Sequence, residues 1–300
     1  MGEKDLSEKL LENCNDVFAD IVNGLIFHGR QEVNPDDLEN TSLESMYRSL
    51  GDGKIRSQER DVAKIWKKEG VKIALCGLEN QTKADKYMPF RIMGYEGASY
   101  RDMLFHGKAH LSPVVSMVLY FGERRWTLPR SAKEILSGRP YAKELAPFLN
   151  DAKANICEVS FLTEEELSCF HSDFRAVADF FVNKRKNPDY VPQDRKTLKH
   201  VEEVLCLLSA ATGDKRYRDI CLEENFAEVS SMCDVAERLE RQGEAIGLNK
   251  GALGMLYDLV ASGKLTIAEA AEAGKKLGVQ GEGDFLKKAL LAGYDLKKAK

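Results

Sequence analysis

Residues 59–82 read ERDVAKIWKKEGVKIALCGLENQT, and this stretch decides the predicted fold. Residues 61–66 and 71–78 are rich in Val, Ile and Ala, and a polar connection that ends in a glycine separates them. Two short apolar runs joined by a glycine-bearing turn predict an antiparallel β-hairpin. In that hairpin Asp61, at the start of the first strand, lies beside Glu79, which follows the second run.

The segments around the hairpin predict a mixed α/β (α+β) fold with a small sheet. Apolar residues at three-to-four spacing predict helices, and short apolar runs bounded by turn residues predict strands. In chain order, the patterns predict a helix over residues 5–28, a short strand at 31–33, a polar loop over 37–58, the hairpin, a helix over 86–106, strands over 114–121 and 154–161, and a helix over 163–184 that begins with a capping box. We predict a first domain over residues 1–190.

Residues 191–300 form the second predicted domain, because the apolar spacing from residue 195 onward is almost wholly helical. Three glycines recur every four residues and would share one helix face: Gly243, Gly247 and Gly251. Each glycine costs about 1 kcal/mol relative to alanine inside a helix. The segment therefore either packs closely against another helix, which predicts a homodimer through the C-terminal helices, or is an interrupted helix. A further hypothesis, a helical interaction module, rests on residues 265–279, whose spacing is similar to that of a helix-turn-helix.

Composition excludes several classes of protein. The 300 residues carry 44 Lys and Arg against 48 Asp and Glu, a net charge of −4, which argues against a protein that coats nucleic acid. An enzyme that visits DNA needs only a local basic strip. The seven cysteines are irregularly spaced and include no CxxC pair, so we expect reduced, mostly buried thiols. His106 and His110 have an HxxxH spacing but lack the glutamate of a zinc protease, and we assign them no role.

The first residues do not have the basic and apolar pattern of a secretory signal, and no window approaches the roughly 18 apolar residues of a membrane span. We therefore expect a soluble, cytoplasmic protein with no membrane partner. No GxxxxGK[ST] loop occurs in the sequence, which argues against ATP use.

The two ends of the hairpin carry the candidate chemistry. Two carboxylates brought together repel each other unless a cation lies between them, and oxygen ligands at such a place suit Mg²⁺ or Mn²⁺. Because side chains alternate along a strand, Gln81 points to the same face as Glu79. The pattern predicts that Asp61 and Glu79 bind a divalent ion beside a polar amide. Strand ends exposed to water also commonly carry Asp, Glu and Gln. The alternative interpretation is therefore that these side chains are solvated and bind no ion.

The same stretch resembles the Rpn family of recombination-promoting nucleases and transposases, within the PD-(D/E)xK nuclease superfamily. The likeness covers about residues 10–185 and extends loosely to the C-terminus. It is carried by residues 59–64 and 77–82, by Met88-Pro89-Phe90-Arg91, Tyr95 and Tyr100, and by residues 17–23 upstream.

The resemblance implies the superfamily's αβββαβ core and a Mg²⁺-dependent DNA endonuclease, a hydrolase of phosphodiester bonds linked to recombination, mobile elements or phage defence. Asp61 takes the place of the motif aspartate and Glu79 that of the (D/E). Gln81 stands where the superfamily most often has lysine, although members of this family accept glutamine there. A neutral amide orients by hydrogen bonds but supplies no charge. The alternative is therefore a DNA-binding or assembly protein that keeps the nuclease fold and cleaves poorly.

Two residues outside the hairpin are further candidates for the site. Asp20 is the candidate for the helical acidic residue that many such nucleases add to the metal site, with Asp16 as its rival one turn earlier. Arg91 is the candidate for a DNA contact, and an ion pair with Asp85 or Glu96 is the alternative.

Overall fold

The structure is a computed structural model, and it describes residues 11–41, 44–48, 55–59, 61–68, 71–105 and 111–296. The predicted start of the first helix at residue 5 lies outside these residues, as do His106 and His110. The chain divides into two compact units, Met1–Val235 and Ala236–Lys300. The domain boundary predicted near residue 190 stays a prediction.

The sequence predicts a mixed α/β fold with a small sheet, and the first unit is built on a mixed five-stranded sheet. Its strands are β1 (Leu38–Asn40), β4 (Val62–Lys68), β5 (Val71–Gln81), β6 (Val114–Tyr120) and β7 (Asn155–Glu158), in the spatial order β1-β4-β5-β6-β7. The pairings of β1 with β4 and of β4 with β5 are antiparallel, and those of β5 with β6 and of β6 with β7 are parallel. A separate antiparallel pair consists of β2 (Glu44–Arg48) and β3 (Ile55–Glu59).

The predicted hairpin is confirmed as β4 and β5. Its register pairs Val62 with Leu78, so Asp61 and Glu79 lie opposite each other one residue further along. A bulge between Trp66 and Lys67 shifts the register near the turn but leaves the carboxylate end regular. Strand β5 also runs three residues beyond its predicted end, to Gln81.

The prediction of a strand at residues 31–33 is wrong, and Asn23 gives the physical reason. Its side-chain oxygen accepts the backbone N–H of Val33 at 2.9 Å and that of Glu32 at 3.1 Å. Its amide donates to the backbone oxygen of Val33 at 2.9 Å. These backbone groups are therefore satisfied by a helix side chain rather than by a neighbouring strand.

The predicted loop over residues 37–58 is also wrong in part, because β1, β2 and β3 begin or lie within it. The sequences of β2 and β3, ESMYR and IRSQE, are largely polar. They lack the continuous apolar run by which a buried strand is recognised.

Helices make up most of the remaining regular structure. Over the first unit they are α1 (Asn15–Phe27), α2 (Met88–Phe105), α3 (Ala132–Leu136), α4 (Ala142–Leu145), α5 (Glu164–Ser168), α6 (Phe174–Lys186), α7 (Val201–Thr212) and α8 (Arg216–Cys221). From the end of the first unit onward they are α9 (Met232–Ala261), α10 (Ile267–Ala273) and α11 (Glu282–Leu291). A helical C-terminal region is thus confirmed.

The helix predicted over residues 163–184 is two helices, α5 and α6. The predicted capping box at its start is confirmed, with the Thr163 hydroxyl accepting the N–H of Glu166 and the Glu166 carboxylate accepting that of Thr163. The division has a physical cause. The Asp20 carboxylate accepts the N–H groups of His171 and Ser172 at 2.7–3.0 Å, which fixes a turn between α5 and α6.

The second unit has its own apolar core. Helix α9 is continuous from Met232 to Ala261, so the interpretation of an interrupted helix at its glycines is wrong. The buried members of the core come from α9, α10, α11 and the segments between and after them: Tyr257, Val260, Ala270, Ala271, Val279, Phe285, Ala289 and Leu296. Among the described residues, no helix combines the length and the apolar character that crossing a membrane requires.

Candidate active site

Asp61 and Glu79, called here the carboxylate pair, face each other at the end of the β4–β5 hairpin. Asp61 precedes β4, and its Oδ2 accepts the backbone N–H of Asn80 at 2.6 Å. This bond ties the acidic end of one strand to the backbone of the other. The sequence-based expectation that hairpin geometry brings the two acidic residues together is thereby met in the structure.

Glu79 is almost completely buried, with 2% of its surface exposed. Its Oε1 receives a hydrogen bond from Arg91 Nη2, and Gln81 Nε2 and the Tyr95 hydroxyl lie 3.4 and 3.5 Å from the same oxygen. Its Oε2 is buried and has no hydrogen-bond partner among the described residues. A buried carboxylate oxygen without a partner is costly, so this atom points to a ligand.

Burial and the negative charge of Asp61 raise the pKa of Glu79 to about 8 from an ordinary value of 4.5. The positive charge of Arg91 and hydrogen bonds with the Asp61 backbone and Tyr95 oppose this rise without cancelling it. Burial and the nearby Glu79 also raise the pKa of Tyr95 to about 12, so its hydroxyl stays a donor. The site therefore favours a neutral Glu79 until a further positive charge arrives.

Helix α2 supplies Arg91 and Tyr95, which lie four residues apart and so on one helix face. Tyr95 is held there because it packs with Met88 and Ile92 against Val118 and other buried residues. The predicted ion pair of Arg91 with Asp85 exists at 3.5 Å, but the closer partner is Glu79. The sequence analysis missed the contact between Arg91 and Glu79 and the role of Tyr95. The four-residue spacing of Arg91 and Tyr95, on the helix that follows β5, was a usable signal.

The structure does not bring Asp20 to the carboxylate pair. Its two oxygens are engaged by the backbone between α5 and α6. The rival Asp16 contacts Lys199 Nζ at 2.7 Å and His200 Nε2 at 2.9 Å. A metal ion needs ligand atoms that lie close together. Among the described residues, neither Asp20 nor Asp16 forms, with Asp61 and Glu79, a group of three ligand atoms that all lie within 4.8 Å of one another. A metal-binding role for Asp20 stays a prediction.

Lys64 is fully buried on β4, and three acceptors surround its ammonium group. Its Nζ donates to Asn13 O, Asn15 Oδ1 and Asn40 Oδ1 at 2.6–2.9 Å. It pairs with Cys76 in the register, and strand side chains alternate, so it lies on the opposite face from Glu79. Lys64 therefore anchors α1 and β1 to β4 and does not replace the lysine that is absent at position 81.

The family model described as "Putative transposase, YhgA-like" matches residues 37–204, which is more than half of the chain. The chain belongs to this family, which is the Rpn family that the sequence resembles, and the prediction of the family is confirmed. No curated protein and no solved structure matches the chain.

Proposed function

We propose that the protein is a metal-dependent DNA endonuclease of the PD-(D/E)xK class that acts in recombination, mobile elements or phage defence. The observation that carries the proposal is the carboxylate pair, in which a buried Glu79 keeps one oxygen without a partner among the described residues. Membership of a family described as transposases supports DNA as the substrate.

The residues present fit a divalent cation. Asp61 raises the pKa of Glu79, and a cation between two carboxylates offsets that repulsion. The ligands are hard oxygen atoms, which Mg²⁺ and Mn²⁺ prefer. Arg91 bonds to Oε1 of Glu79, which leaves Oε2 for the ion. Asp61 and Glu79 are the proposed ligands, and Asp20 is a proposed third ligand that would have to give up its backbone contacts.

Each residue of the site has a task in phosphodiester hydrolysis. Asp61 and Glu79 would hold the ion, which would neutralise, as a Lewis acid, the charge that builds on the scissile phosphate. Gln81, whose amide already lies near Glu79, orients water or a phosphate oxygen by hydrogen bonds. Arg91 has 35% of its side chain exposed, and its planar guanidinium suits a DNA phosphate.

The order of elements also supports the nuclease class. Helix α1 and strands β1, β4 and β5 are followed by α2 and β6. With β2 and β3 taken as an inserted pair, this order corresponds to the αβββαβ core that the family resemblance implies. Strand β6 pairs in parallel with β5, so β5, which carries Glu79 and Gln81, is the middle strand of the sheet.

Cleavage of supercoiled plasmid DNA tests the proposal. The full-length protein is incubated with plasmid in Mg²⁺, in Mn²⁺ and with a chelator, beside Asp61→Asn and Glu79→Gln. We expect nicking that requires the ion and that both variants abolish. Glu39→Gln is the matched control, because Glu39 is an exposed carboxylate on β1 that pairs with Lys67. Nicking by either site variant at the parent's rate would refute the assignment.

The second candidate is a DNA-binding or assembly protein that keeps this fold without efficient cleavage. The neutral Gln81 and the direct pairing of Arg91 with Glu79 favour it, because both leave the site with less available positive charge. Mobility shift of DNA by the protein without any nicking in either metal would support this candidate.

A further inference from the structure

A second group of metal-ligating side chains lies apart from the carboxylate pair. The ligand atoms of Cys14, His200 and Glu203 all lie within 4.8 Å of one another. We call these three residues the Cys14 cluster. Cys14 directly precedes α1, His200 directly precedes α7, and Glu203 lies in the first turn of α7. Residues far apart in the chain thus converge on one point.

The surrounding structure holds the imidazole and its backbone in place. The two oxygens of Asp16 lie 2.9 and 3.0 Å from His200 Nε2. The Asp173 carboxylate accepts the backbone N–H groups of Lys199 and His200 at 2.8 and 2.6 Å. A carboxylate on one nitrogen of the ring is the usual partner of a metal-bound histidine, since it orients the ring and raises its basicity.

The chemistry of the ligands selects the ion. Thiolate and imidazole ligands favour Zn²⁺ over Mg²⁺, and carboxylate is also a common zinc ligand. Zinc lies about 2.3 Å from sulfur and about 2.0–2.2 Å from nitrogen or oxygen. The three ligand atoms lie within 4.8 Å of one another, close enough to share one ion. Cys14 forms no disulfide. Burial and the carboxylates of Glu203 and Asp16 raise the pKa of its thiol to about 11, and a zinc ion beside the sulfur favours the thiolate.

We propose that Cys14, His200 and Glu203 bind one zinc ion that joins the start of α1 to the start of α7. Water fills the fourth position of the tetrahedron, and Asp16 stays the carboxylate partner of the His200 ring. This site is independent of the proposed nuclease centre. Its effect is structural, because it fixes the N-terminal helix to the helical segment that follows α6. Binding replaces the S–H bond of Cys14 by a sulfur–zinc bond and releases one proton to solvent.

The experiment uses the full-length protein after treatment with a chelator. Zinc affinity and stoichiometry are measured by competition with a chromophoric zinc chelator, and Co²⁺ is added separately as a spectroscopic probe. We expect one zinc per chain, resistance to excess Mg²⁺, and a thiolate-to-cobalt charge-transfer band. Absence of stoichiometric zinc binding, or a cobalt complex without that band, would overturn the proposal.

Variants assign the ligands. Cys14→Ser should remove the thiolate band, and Asp16→Asn should weaken zinc binding about 10- to 100-fold through loss of the histidine's carboxylate partner. Cys169→Ser is the matched control, because Cys169 is also partly buried but lies outside the cluster. A thiolate band that survives Cys14→Ser would refute the assignment.

A measurement on the parent protein covers the case in which a variant does not fold. Zinc should protect Cys14 from alkylation by iodoacetamide, read peptide by peptide by mass spectrometry, and should leave the labelling of Cys169 unchanged. Equal labelling of Cys14 with and without zinc would contradict the proposal without any substitution.

Discussion

Glu79→Gln should stabilise the metal-free protein in alkaline solution, although it removes an ion pair with Arg91. Glutamine is a close mimic of the protonated glutamic acid. The pKa of Glu79 is raised from 4.5 to about 8 in the folded protein, with the attraction of Arg91 already included. The parent protein therefore loses folding free energy as the pH rises from 4.5 to about 8, because over this range the unfolded chain ionises at Glu79 while the folded protein keeps it neutral, and the variant avoids this loss.

The sign and size of the effect follow from proton linkage. A carboxyl group whose pKa is raised on folding contributes stability that is full below pH 4.5 and is lost as the pH rises through 8. The difference between these two pKa values corresponds to on the order of 4 to 5 kcal/mol at 25 °C. We expect Glu79→Gln to match the parent near pH 4.5 and to exceed its stability by up to this amount at pH 9.

Urea unfolding followed by tryptophan fluorescence measures the difference. The chain has two tryptophans, Trp66 and Trp126, and both belong to the first unit, so the signal reports on the unit that contains Glu79. Groups distant from Glu79 titrate alike in both proteins and cancel in the comparison. Glu39→Gln makes the same chemical change at an exposed carboxylate and serves as the control. If the stability difference for Glu79→Gln is also independent of pH, or if the variant is weaker at pH 9, the reasoning is refuted.

Three further predictions concern other parts of the molecule. Lys64→Met should lower the free energy of unfolding by on the order of 3 kcal/mol, because three acceptors lose their donor; urea unfolding measures this loss, and binding of Mn²⁺ should not change. Gln81→Lys should leave plasmid cleavage unchanged or slower if glutamine is a working family variant; a large gain in rate would instead support a degenerate nuclease. The double variant Gly247→Ala/Gly251→Ala should weaken a homodimer formed through α9. An added Cβ at either position meets no atom of the described chain within 4 Å, so the two methyl groups should obstruct only the close approach of a partner copy. Light scattering decides this last point, and a monomeric parent protein would show that the predicted homodimer is wrong.

The hairpin and its acidic end were predictable because local rules determine them. Apolar alternation and a glycine-bearing turn identify β4 and β5, and antiparallel pairing then places Asp61 opposite Glu79. The side-chain alternation that brings Gln81 to the same face as Glu79 is equally local. No assumption about the rest of the fold was needed for these three residues.

The other contacts of the site depend on tertiary packing, which the sequence pattern does not specify. Arg91 reaches Glu79 only because α2 docks on the sheet through Met88, Ile92 and Tyr95. Asp20 has the acidic character of a metal ligand, yet in the structure its carboxylate fixes a turn about 150 residues away in the chain. Spacing along one helix cannot distinguish these two uses of an aspartate.

Divalent-ion binding by the carboxylate pair is the central claim, and titration of the full-length protein with Mn²⁺ tests it most directly. The free ion is followed by electron paramagnetic resonance at pH 8.5, where Glu79, with a pKa of about 8, is largely ionised. We predict saturable binding by the parent protein and by Glu39→Gln, competition by Mg²⁺, and loss of these sites in both Asp61→Asn and Glu79→Gln. Equal binding of Mn²⁺ by the parent and by either site variant would contradict the account.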